Sequence, residues 1–308
     1  MTSQSIAAGL VEATGGLIVS PLLIGLTQQV KAILQGRRGP GPMQPYRELR
    51  RLWRKSGVAV EGTTLVYRLA PVVVAATMGA AILLVPSAEG APGMGVGHDA
   101  LTLAGLLALA RLAVCAAAWD TANGFALQGA SRDLTLSVFV EAALVLSVGL
   151  AALVAGTTDL RGVVAGTAGG HPWTTPALAF ATVAFALVVI AETGRQPVDN
   201  PDTHLELTMI HEGPVLEFAG RDQALLQWAL AARHWVVLVL AAGIFLPHPE
   251  GTWWQLVLLP LSLALLCVVL AATETLLAKM RILLVPRLIG VGAAVALLGI
   301  VTWLVEPL

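Results

Sequence analysis

Ionisable side chains are concentrated in one segment of this chain, Ala191–Phe218. It reads AETGRQPVDNPDTHLELTMIHEGPVLEF and holds six carboxylates, one arginine and two histidines. The rest of the sequence is apolar, since 56% of the 308 residues are hydrophobic and only 12% are charged. Charges beside membrane helices are costly unless they meet partners or water. The segment is therefore predicted to be a working site, built from carboxyl and imidazole groups that can exchange protons.

The middle of this segment is predicted to form a short helix over about 202–213, because Asn200 followed by proline is a typical helix start. On such a helix His204 and His211, seven residues apart, share a face, whereas Glu206 lies on another. Both faces cannot lie against lipid, so at least one must contact protein or a hydrated cavity. Two alternatives remain open. The segment could be a solvated loop, or it could bind a metal, which the absence of HExxH spacing disfavours.

Further ionisable residues fall inside apolar stretches or at their ends. They are Arg111, Glu141, Glu192, Arg233, His234 and Glu274. An unpaired charge at the centre of a membrane costs roughly 3 kcal/mol, so these side chains are predicted to face inward. Glu141, in the stretch SVFVEAALVL, has no local partner. It is either a proton-relay group or one half of a static ion pair with Arg111.

The composition places these residues in a membrane protein, because the mean hydropathy is +0.80. Apolar runs of about 20 residues, the length that spans a bilayer, recur along the chain. The predicted spans are 15–34, 64–86, 100–119, 134–155, 176–191, 225–246, 253–273 and 283–305. The fold class is therefore predicted to be an all-α integral membrane protein, a single polytopic domain over residues 1–308 with about eight transmembrane helices. An even number of spans places both termini on the same side.

The distribution of lysine and arginine predicts the orientation of these spans. Segment 35–57 carries seven basic residues, whereas segment 87–99 carries none. The odd-numbered connections are therefore predicted to face the cytoplasm, and both termini to face the outer side. Docking segments are expected at about 35–57, 120–133, 192–224 and 274–287. The outer connections are rich in Gly, Pro and Thr and are expected to be plain turns.

The first cytoplasmic connection, QGRRGPGPMQPYRELRRLWRK, is predicted to be irregular until about Tyr46 and then to form a short basic amphipathic helix. It lacks the GxxxxGK[ST] spacing of a phosphate-binding loop. Its basic face could contact lipid headgroups or a soluble partner. The basic residues of the last connection could likewise mark topology only, or close the far side of the same site. The residues expected to dock a partner are Arg37, Arg38, Pro40, Pro45, Arg281 and Arg287.

The two cysteines, Cys115 and Cys267, are isolated in apolar runs and form no CxxC pair. They are expected to pack as small apolar residues and to leave the chain without a thiolate metal site. No basic tract suggests nucleic acid as a partner. The N-terminal residues lack a basic stretch before the first apolar run, so they are expected to be retained and not cleaved as a signal peptide.

Four motifs resemble a known family. They are RRGPGPMQP at 37–45, GASRDLTLSVFVE at 129–141, AETGRQPVDNPDTHLELTMIHE at 191–212 and AKMRILLVPRLIG at 278–290. Over essentially its whole length the chain resembles the membrane subunit that respiratory complex I shares with group 4 [NiFe] hydrogenases. The resemblance is closer to the formate hydrogenlyase, hydrogenase-4 and energy-converting hydrogenase branch, because Val198 and Asn200 replace the Phe and Leu of the complex I pattern.

The resemblance implies a non-redox subunit that anchors a soluble hydrogenase module in the inner membrane of a prokaryote and couples it to proton or cation translocation. The implied alternative is a subunit that forms the quinone site of a complex I-like NADH dehydrogenase. The implied partners are the hydrogenase large and small subunits, a ferredoxin-like iron–sulfur subunit, antiporter-like membrane subunits and lipid. The [NiFe] centre and the [4Fe-4S] clusters would lie on those partners, with no cofactor on this chain.

The resemblance also implies roles for particular residues. Those implied to line a cytoplasmic cavity are Arg195, Asp199, Glu206, Glu212 and Glu217. Glu141 and Glu192 would belong to a buried polar path into the membrane arm. Together with Arg111, His204 and His211, these residues make up the predicted charged cavity and proton path.

Overall fold

The computed structural model describes residues 3–58, 60–86, 99–169, 175–199, 210–249 and 252–305, with the side chains of 3–13 and 252–256 left out of the description. These residues form ten α-helices and contain no β-strand. The helices are α1 (Ser3–Leu34), α2 (Gln44–Trp53), α3 (Leu65–Leu84), α4 (Ala100–Asp120), α5 (Gly124–Ala155), α6 (Leu160–Gly166), α7 (Pro176–Glu192), α8 (Gly220–Ile244), α9 (Thr252–Leu276) and α10 (Val285–Val305). Single 3-10 turns occur at Gly213–Val215 and Ile282–Leu284.

Seven of the described helices are long and apolar enough to cross a membrane, and α7 is a shorter apolar helix of 17 residues. These eight correspond one to one with the eight predicted spans, which confirms the prediction of an all-α membrane protein. The amphipathic helix predicted to start near Tyr46 is also present as α2, which starts two residues earlier. Proline at its first turn explains that start, since Pro45 has no N–H to leave unpaired there.

The fourth predicted span was placed too late in the chain. Helix α5 begins at Gly124 and not near residue 134, because the Asn123 side chain caps it by accepting the N–H of Phe125 at 2.8 Å. Ala126 and Ala130 then pack on the bundle with no exposed surface. The segment 120–133, expected to be a connection, is therefore mostly helical, and its docking role stays a prediction.

The helix ends nearest the basic connections are joined by polar contacts. Asp120, at the end of α4, accepts hydrogen bonds from Thr64 N and Oγ1 at 2.7 and 2.9 Å and so caps α3. Tyr67 donates to the carbonyl of Glu217 at 2.7 Å, and the side chain of Asn123 donates to the Glu217 carboxylate. These contacts bring connections 54–64, 121–123 and 193–219 together, and this end of the bundle is called the basic end below.

The opposite end contains one element that the sequence did not predict. The connection after α5, expected to be a plain turn, includes the short helix α6, which starts where Asp159 accepts the N–H of Arg161 at 3.3 Å. An isolated antiparallel bridge joins Asp99 to Asp159. Gly169 N donates to His248 O at 2.9 Å. The prediction missed α6 because a very short helix fixed by a cap leaves little periodic signal.

Helix α8 lies at the centre of the bundle. Protein encloses 78% of its apolar stretch, against 22% for that of α10. Helices α1, α3, α7 and α9 all pack against it. A charged side chain on α8 therefore meets protein and not lipid, which is the setting of Arg233 and His234.

Candidate functional site

Five charged side chains from four helices meet inside the bundle. This inner cluster consists of Arg111 from α4, Asp133 and Glu141 from α5, Glu192 from α7 and Arg233 from α8. Glu192 is at its centre: one carboxylate oxygen lies 2.7 Å from Arg111 Nη2, and the other lies 2.8 Å from Arg233 Nη1. Arg111 also reaches Glu141 at 3.4 Å and Asp133 at 3.7 Å.

The Glu192 side chain is only 1% exposed, so its charge is tolerable only because two guanidiniums hydrogen-bond to it. Arg233 is completed by a second bond, from Nη2 to the carbonyl of Leu107 at 2.8 Å. The cluster thus combines two permanent cations with three carboxylates. With one carboxylate in excess, it can take up one proton without leaving an uncompensated positive charge.

Glu141 occupies the edge of this cluster. Its side chain is 34% exposed, although it lies within the span formed by α5. The neighbouring Val138 and Val145 on the same helix are also exposed. The static pair between Glu141 and Arg111, an alternative left open by the sequence, is present as a contact. Its partial exposure, however, places one carboxylate of the cluster on the outer surface of the bundle.

A second group of charges, the lateral cluster, joins α1 and α9 to the turn after α7. Glu274 accepts from Lys31 Nζ at 2.9 Å and from Arg195 Nη1 at 3.1 Å. The Glu274 side chain has no exposed surface, and Lys31 and Arg195 are both buried. The lateral cluster therefore fixes the basic ends of three elements against one another.

The position of Arg195 follows from how α7 ends. Gly194 has a φ of +61°, which glycine adopts without steric cost. Its N–H donates to Ala191 O at 3.1 Å, and the N–H of Arg195 donates to Ile190 O at 3.1 Å. These two bonds form a Schellman motif, which reverses the chain directly after Glu192. As a result Glu192 points into the inner cluster, whereas Arg195, three residues later, points toward α9.

A third group, the Asp199 group, holds both ends of segment 200–209, which itself lies outside the described residues. Asp199 Oδ2 accepts the backbone N–H groups of Ile210 and His211 at 3.1 and 3.2 Å and lies 3.2 Å from His211 Nδ1. Its other oxygen lies 3.4 Å from Lys279 Nζ. The backbone of Met280 donates to Pro197 O at 3.0 Å and strengthens this junction.

The segment that follows is seated closely on α5. A Cβ atom added to Gly129 would lie 2.8 Å from Gly213 Cα and 2.9 Å from Pro214 Cδ, closer than side chains tolerate. Only glycine allows this approach, which explains why a glycine opens the motif GASRD. It also brings His211 and Glu212 to the mouth of the inner cluster.

The electrostatic surroundings of His211 favour its protonated form. Burial lowers the pKa of His211, but the hydrogen bond to Asp199 and the negative charges of Asp133 and Asp199 outweigh it, so the pKa lies above its ordinary value of 6.5. Arg111 opposes the shift without reversing it.

The contact between His211 and Asp199 is therefore expected to make stability depend on pH. Because the pKa of folded His211 is raised, the stabilisation is complete below about 6.5 and is lost as the pH rises through the raised value. Unfolding of the wild type and of His211→Gln should be compared across this range, with His248→Gln as the control. The difference in stability between wild type and His211→Gln should shrink with rising pH, and a constant difference would contradict the assignment.

A cavity of about 730 Å³ connects helix α2 with the inner cluster. Its polar mouth is lined by Gln28, Gln44, Glu48, Arg51 and Gln227, its walls include Ile24, Val74, Met78 and Leu226, and Arg111, Asp133 and Arg233 line its deep end. Of the predicted site residues, Arg111, His211, Glu212 and Pro45 line it. It is both polar and apolar, so it can admit water or an amphiphile.

The structure separates the remaining predicted site residues. Glu141 and Glu192 belong to the inner cluster, Arg195 to the lateral cluster and Asp199 to its own group. Glu217, implied by the resemblance to line the cavity, instead joins α5 to α3 through the contacts described above and does not line it. His204 and Glu206, with the helix predicted around them, lie outside the described residues.

The predicted docking residues are all at the basic end. Arg37, Arg38, Pro40, Arg281 and Arg287 are exposed. Pro45 is half-buried, since it packs where a Cβ on Gly25 would lie 2.9 Å from its Cδ. Their role as a docking surface stays a prediction.

Two members of the clusters received no attention in the sequence, Lys31 and Asp133. Lys31 lies in the last turn of an apolar helix, and Asp133 precedes Ser137 and Glu141 at intervals of four, the spacing of one helical face. Both signals were present, but the late start assigned to α5 placed Asp133 in a connection. Arg233 and Glu274 were recognised as intramembrane charges without a site being assigned to them.

Comparison with known proteins agrees over the full length. The model of the NADH dehydrogenase family matches residues 8–304. Hydrogenase-4 component C of Escherichia coli (strain K12) is 34% identical over 94% of this chain and 92% of its own length. Formate hydrogenlyase subunit 4 of the same organism is 31% identical over 98% and 99%.

More distant relatives complete the comparison. A membrane component of the NADH-quinone oxidoreductase of Salinibacter ruber (strain DSM 13855 / M31) is 24% identical over 75% of this chain and 70% of its own length. A chain in the solved structure of the membrane-bound sulfane sulfur reductase, an archaeal respiratory membrane complex, matches with a TM-score of 0.82 at 19% identity, over 96% of this chain and 98% of that one. This last similarity establishes the shared fold.

Proposed function

Since this chain belongs to the NADH dehydrogenase family, that of complex I subunit 1, we propose that it anchors a soluble [NiFe] hydrogenase module in the inner membrane of a prokaryote and couples it to ion translocation. It is a membrane subunit of the kind found in hydrogenase-4, formate hydrogenlyase and complex I-like complexes. The proposal adds two roles, docking at the basic end and proton transfer through the bundle.

The docking role is supported by the distribution of exposed charge. Arg37, Arg38, Arg281 and Arg287 are exposed at the basic end, next to the amphipathic helix α2. We assign this end to the hydrogenase large and small subunits and a ferredoxin-like iron–sulfur subunit. Antiporter-like membrane subunits and lipid would contact the apolar helix faces.

The redox centres belong to the partner subunits in this proposal. A [4Fe-4S] cluster needs several thiolates, and the two cysteines of this chain, Cys115 and Cys267, are buried on different helices. Within the described ranges, no three His, Cys, Asp or Glu side chains are grouped so as to hold a metal ion. The residues therefore do not fit a resident metal centre, and no step of the mechanism is assigned to one.

The coupling role is carried by one observation, a carboxylate of the inner cluster that reaches the outer surface of a span. Leaving Glu141 partly exposed to lipid would be costly, so another membrane subunit is expected to cover it. On the inner side, Arg111 connects it to Glu192 and Asp133. His211, at the cytoplasmic mouth, lies within electrostatic reach of Asp133 and Arg111. A proton bound at one of these groups changes the proton affinity of the next.

The expected sequence of events follows from these contacts. Protonation at the Asp199 group, in response to the docked module, alters the charge balance of the inner cluster. The excess carboxylate of the cluster then takes up or releases a proton, and Glu141 passes the change to the covering subunit. Each step shifts one proton between groups on this chain, and none requires a redox change here.

The test is Glu141→Gln in the assembled complex reconstituted in vesicles, with Glu61→Gln in an exposed turn as the control. Proton translocation should fall by roughly tenfold or more, the usual effect of removing a proton-transfer group. Hydrogen evolution should persist, because the redox centres are elsewhere. Unchanged translocation in an assembled variant would remove Glu141 from the path and with it the observation that carries the proposal.

A second candidate function is favoured by the cavity. Its mouth lies at α2 and its walls are largely apolar, as a quinone tail would require. Under this alternative the chain forms the quinone site of a complex I-like dehydrogenase. Electron transfer from NADH to an added quinone, abolished by altering this subunit alone, would favour it over the hydrogenase assignment.

A further inference from the structure

Two deeply buried nitrogen atoms lack a partner among the described residues. They are Nε of Arg195 and Nε2 of His234. Arg195 is 5% exposed and His234 is 2% exposed, so bulk solvent does not compensate them. A buried polar group without a hydrogen bond costs about 1–3 kcal/mol. Buried water is the usual partner of such groups.

The two residues occupy matched positions on neighbouring elements. Arg233 and His234 are consecutive on α8, so their side chains leave the helix about 100° apart. Arg233 is fixed by its ion pair with Glu192 at 2.8 Å. Arg195 follows Glu192 by three residues across the Schellman motif, and its charge acts on His234. Two consecutive side chains of α8 thus face the two sides of the turn that ends α7.

The first of these interactions is direct and the second has a gap. Arg233 reaches Glu192 without an intermediary, whereas the imidazole of His234 and the guanidinium of Arg195 present unpaired nitrogens. Both groups are polar, and hydroxyl and thiol groups of Thr27 and Cys267 lie in the same region, since Arg195 also acts electrostatically on Cys267. A water needs two to four polar partners, and this region supplies them.

We propose that one buried water binds between Arg195 Nε and His234 Nε2. Arg195 donates its Nε–H to the water oxygen, and the water donates to Nε2 of the neutral imidazole. No bond other than these hydrogen bonds forms or breaks. His234 is thereby a positioning residue: through the water it sets the orientation in which Arg195 Nη1 reaches Glu274.

The consequence for coupling rests on the proposed function. The water bridge ties the lateral cluster to α8, and α8 also carries Arg233 of the inner cluster. Movement of a charge at Glu192 therefore has a route to the joint between α1, α9 and the α7 turn. Loss of the bridge should weaken coupling without removing any group that carries the proton.

The test compares His234→Leu, which removes the acceptor, with His234→Gln, whose amide can hold the water. The matched control is His248→Leu, because His248 also has a buried Nε2 without a described partner but lies at the opposite end of the bundle. Each variant is prepared as the whole complex. Two measurements are made: a cryo-EM map at water-resolving resolution, and proton translocation in vesicles.

The expected result is density for one water within hydrogen-bond distance of both nitrogens in the wild type and in His234→Gln. In His234→Leu the water should be absent, Arg195 should turn from Glu274, and translocation should fall roughly tenfold, the usual scale for such supporting residues. His248→Leu should match the wild type in both measurements. Absence of the water from the wild type, or an unmoved Arg195 in His234→Leu, would overturn the proposal.

The two outcomes can be separated from the fate of the proposed function. If the wild-type complex translocates no protons, the coupling role fails, yet the map still decides whether the water and the Arg195 orientation depend on His234. If the wild type translocates protons and His234→Leu does so equally, the positioning role fails and the proposed function stands.

Discussion

Replacing Glu192 with alanine is expected to destabilise the folded chain by about 3–5 kcal/mol, the cost of leaving a buried ion-pair partner alone. Glu192 holds Arg111 and Arg233 at 2.7 and 2.8 Å, and its side chain is 1% exposed. A guanidinium cannot lose its proton to escape burial. The penalty should therefore be the same at every pH at which the protein is folded.

The unfolding midpoint can be followed with a thiol-reactive dye, since Cys115 and Cys267 are both buried and free. Glu61→Ala, in an exposed turn, is the matched control and should leave the midpoint unchanged. Glu192→Gln should fall between the two, because an amide keeps a hydrogen bond but no charge. A Glu192→Ala midpoint equal to that of the control would mean that the inner cluster does not stabilise the bundle.

The membrane spans were predictable because hydropathy is a local property. Eight apolar runs correspond to eight helices, and even the short α7 was found as a run of the expected type. The start of α5 was missed for the same reason. Its first turns carry Gln128, Arg132 and Asp133, so the local average is polar although the backbone is already helical. A single cap at Asn123, invisible to hydropathy, sets the boundary.

The pairing of charges was not predictable, because it depends on contacts between distant parts of the chain. Arg111 and Glu192 are 81 residues apart, and Lys31 and Glu274 are 243 apart. The sequence showed that Arg111, Glu192 and Arg233 must face inward, since the membrane penalises any other arrangement. It could not show that one carboxylate is shared by two guanidiniums.

The same limit explains Glu217. Its position in an acidic motif suggested the cavity, but its partners Asn123 and Tyr67 are supplied by other helices. The sequence also held no sign that Glu192 and Arg195 point in different directions. That separation depends on the left-handed φ of Gly194, which a sequence containing Thr-Gly-Arg permits without requiring.

Replacing Arg111 with methionine should have the opposite dependence on pH from Glu192→Ala. The variant keeps one cation, Arg233, among three carboxylates, and so leaves two excess negative charges in the cluster. At neutral pH the expected loss is again about 3–5 kcal/mol. Unlike a guanidinium, a carboxylate can be neutralised by taking up a proton. The loss relative to wild type should therefore shrink as the pH falls.

The comparison that decides this is a series of unfolding midpoints for wild type, Arg111→Met and Glu192→Ala at decreasing pH. Arg50→Met, on the exposed face of α2, controls for the loss of an arginine as such. The double variant Arg111→Met with Glu192→Met should lose less than the sum of the two single variants, because each substitution removes the partner that the other would strand. Additive losses, or a deficit in Arg111→Met that does not change with pH, would show that the two side chains act independently. In that case the excess carboxylate would not be a place where a proton can be held, and the path from His211 to Glu141 would lack its central step.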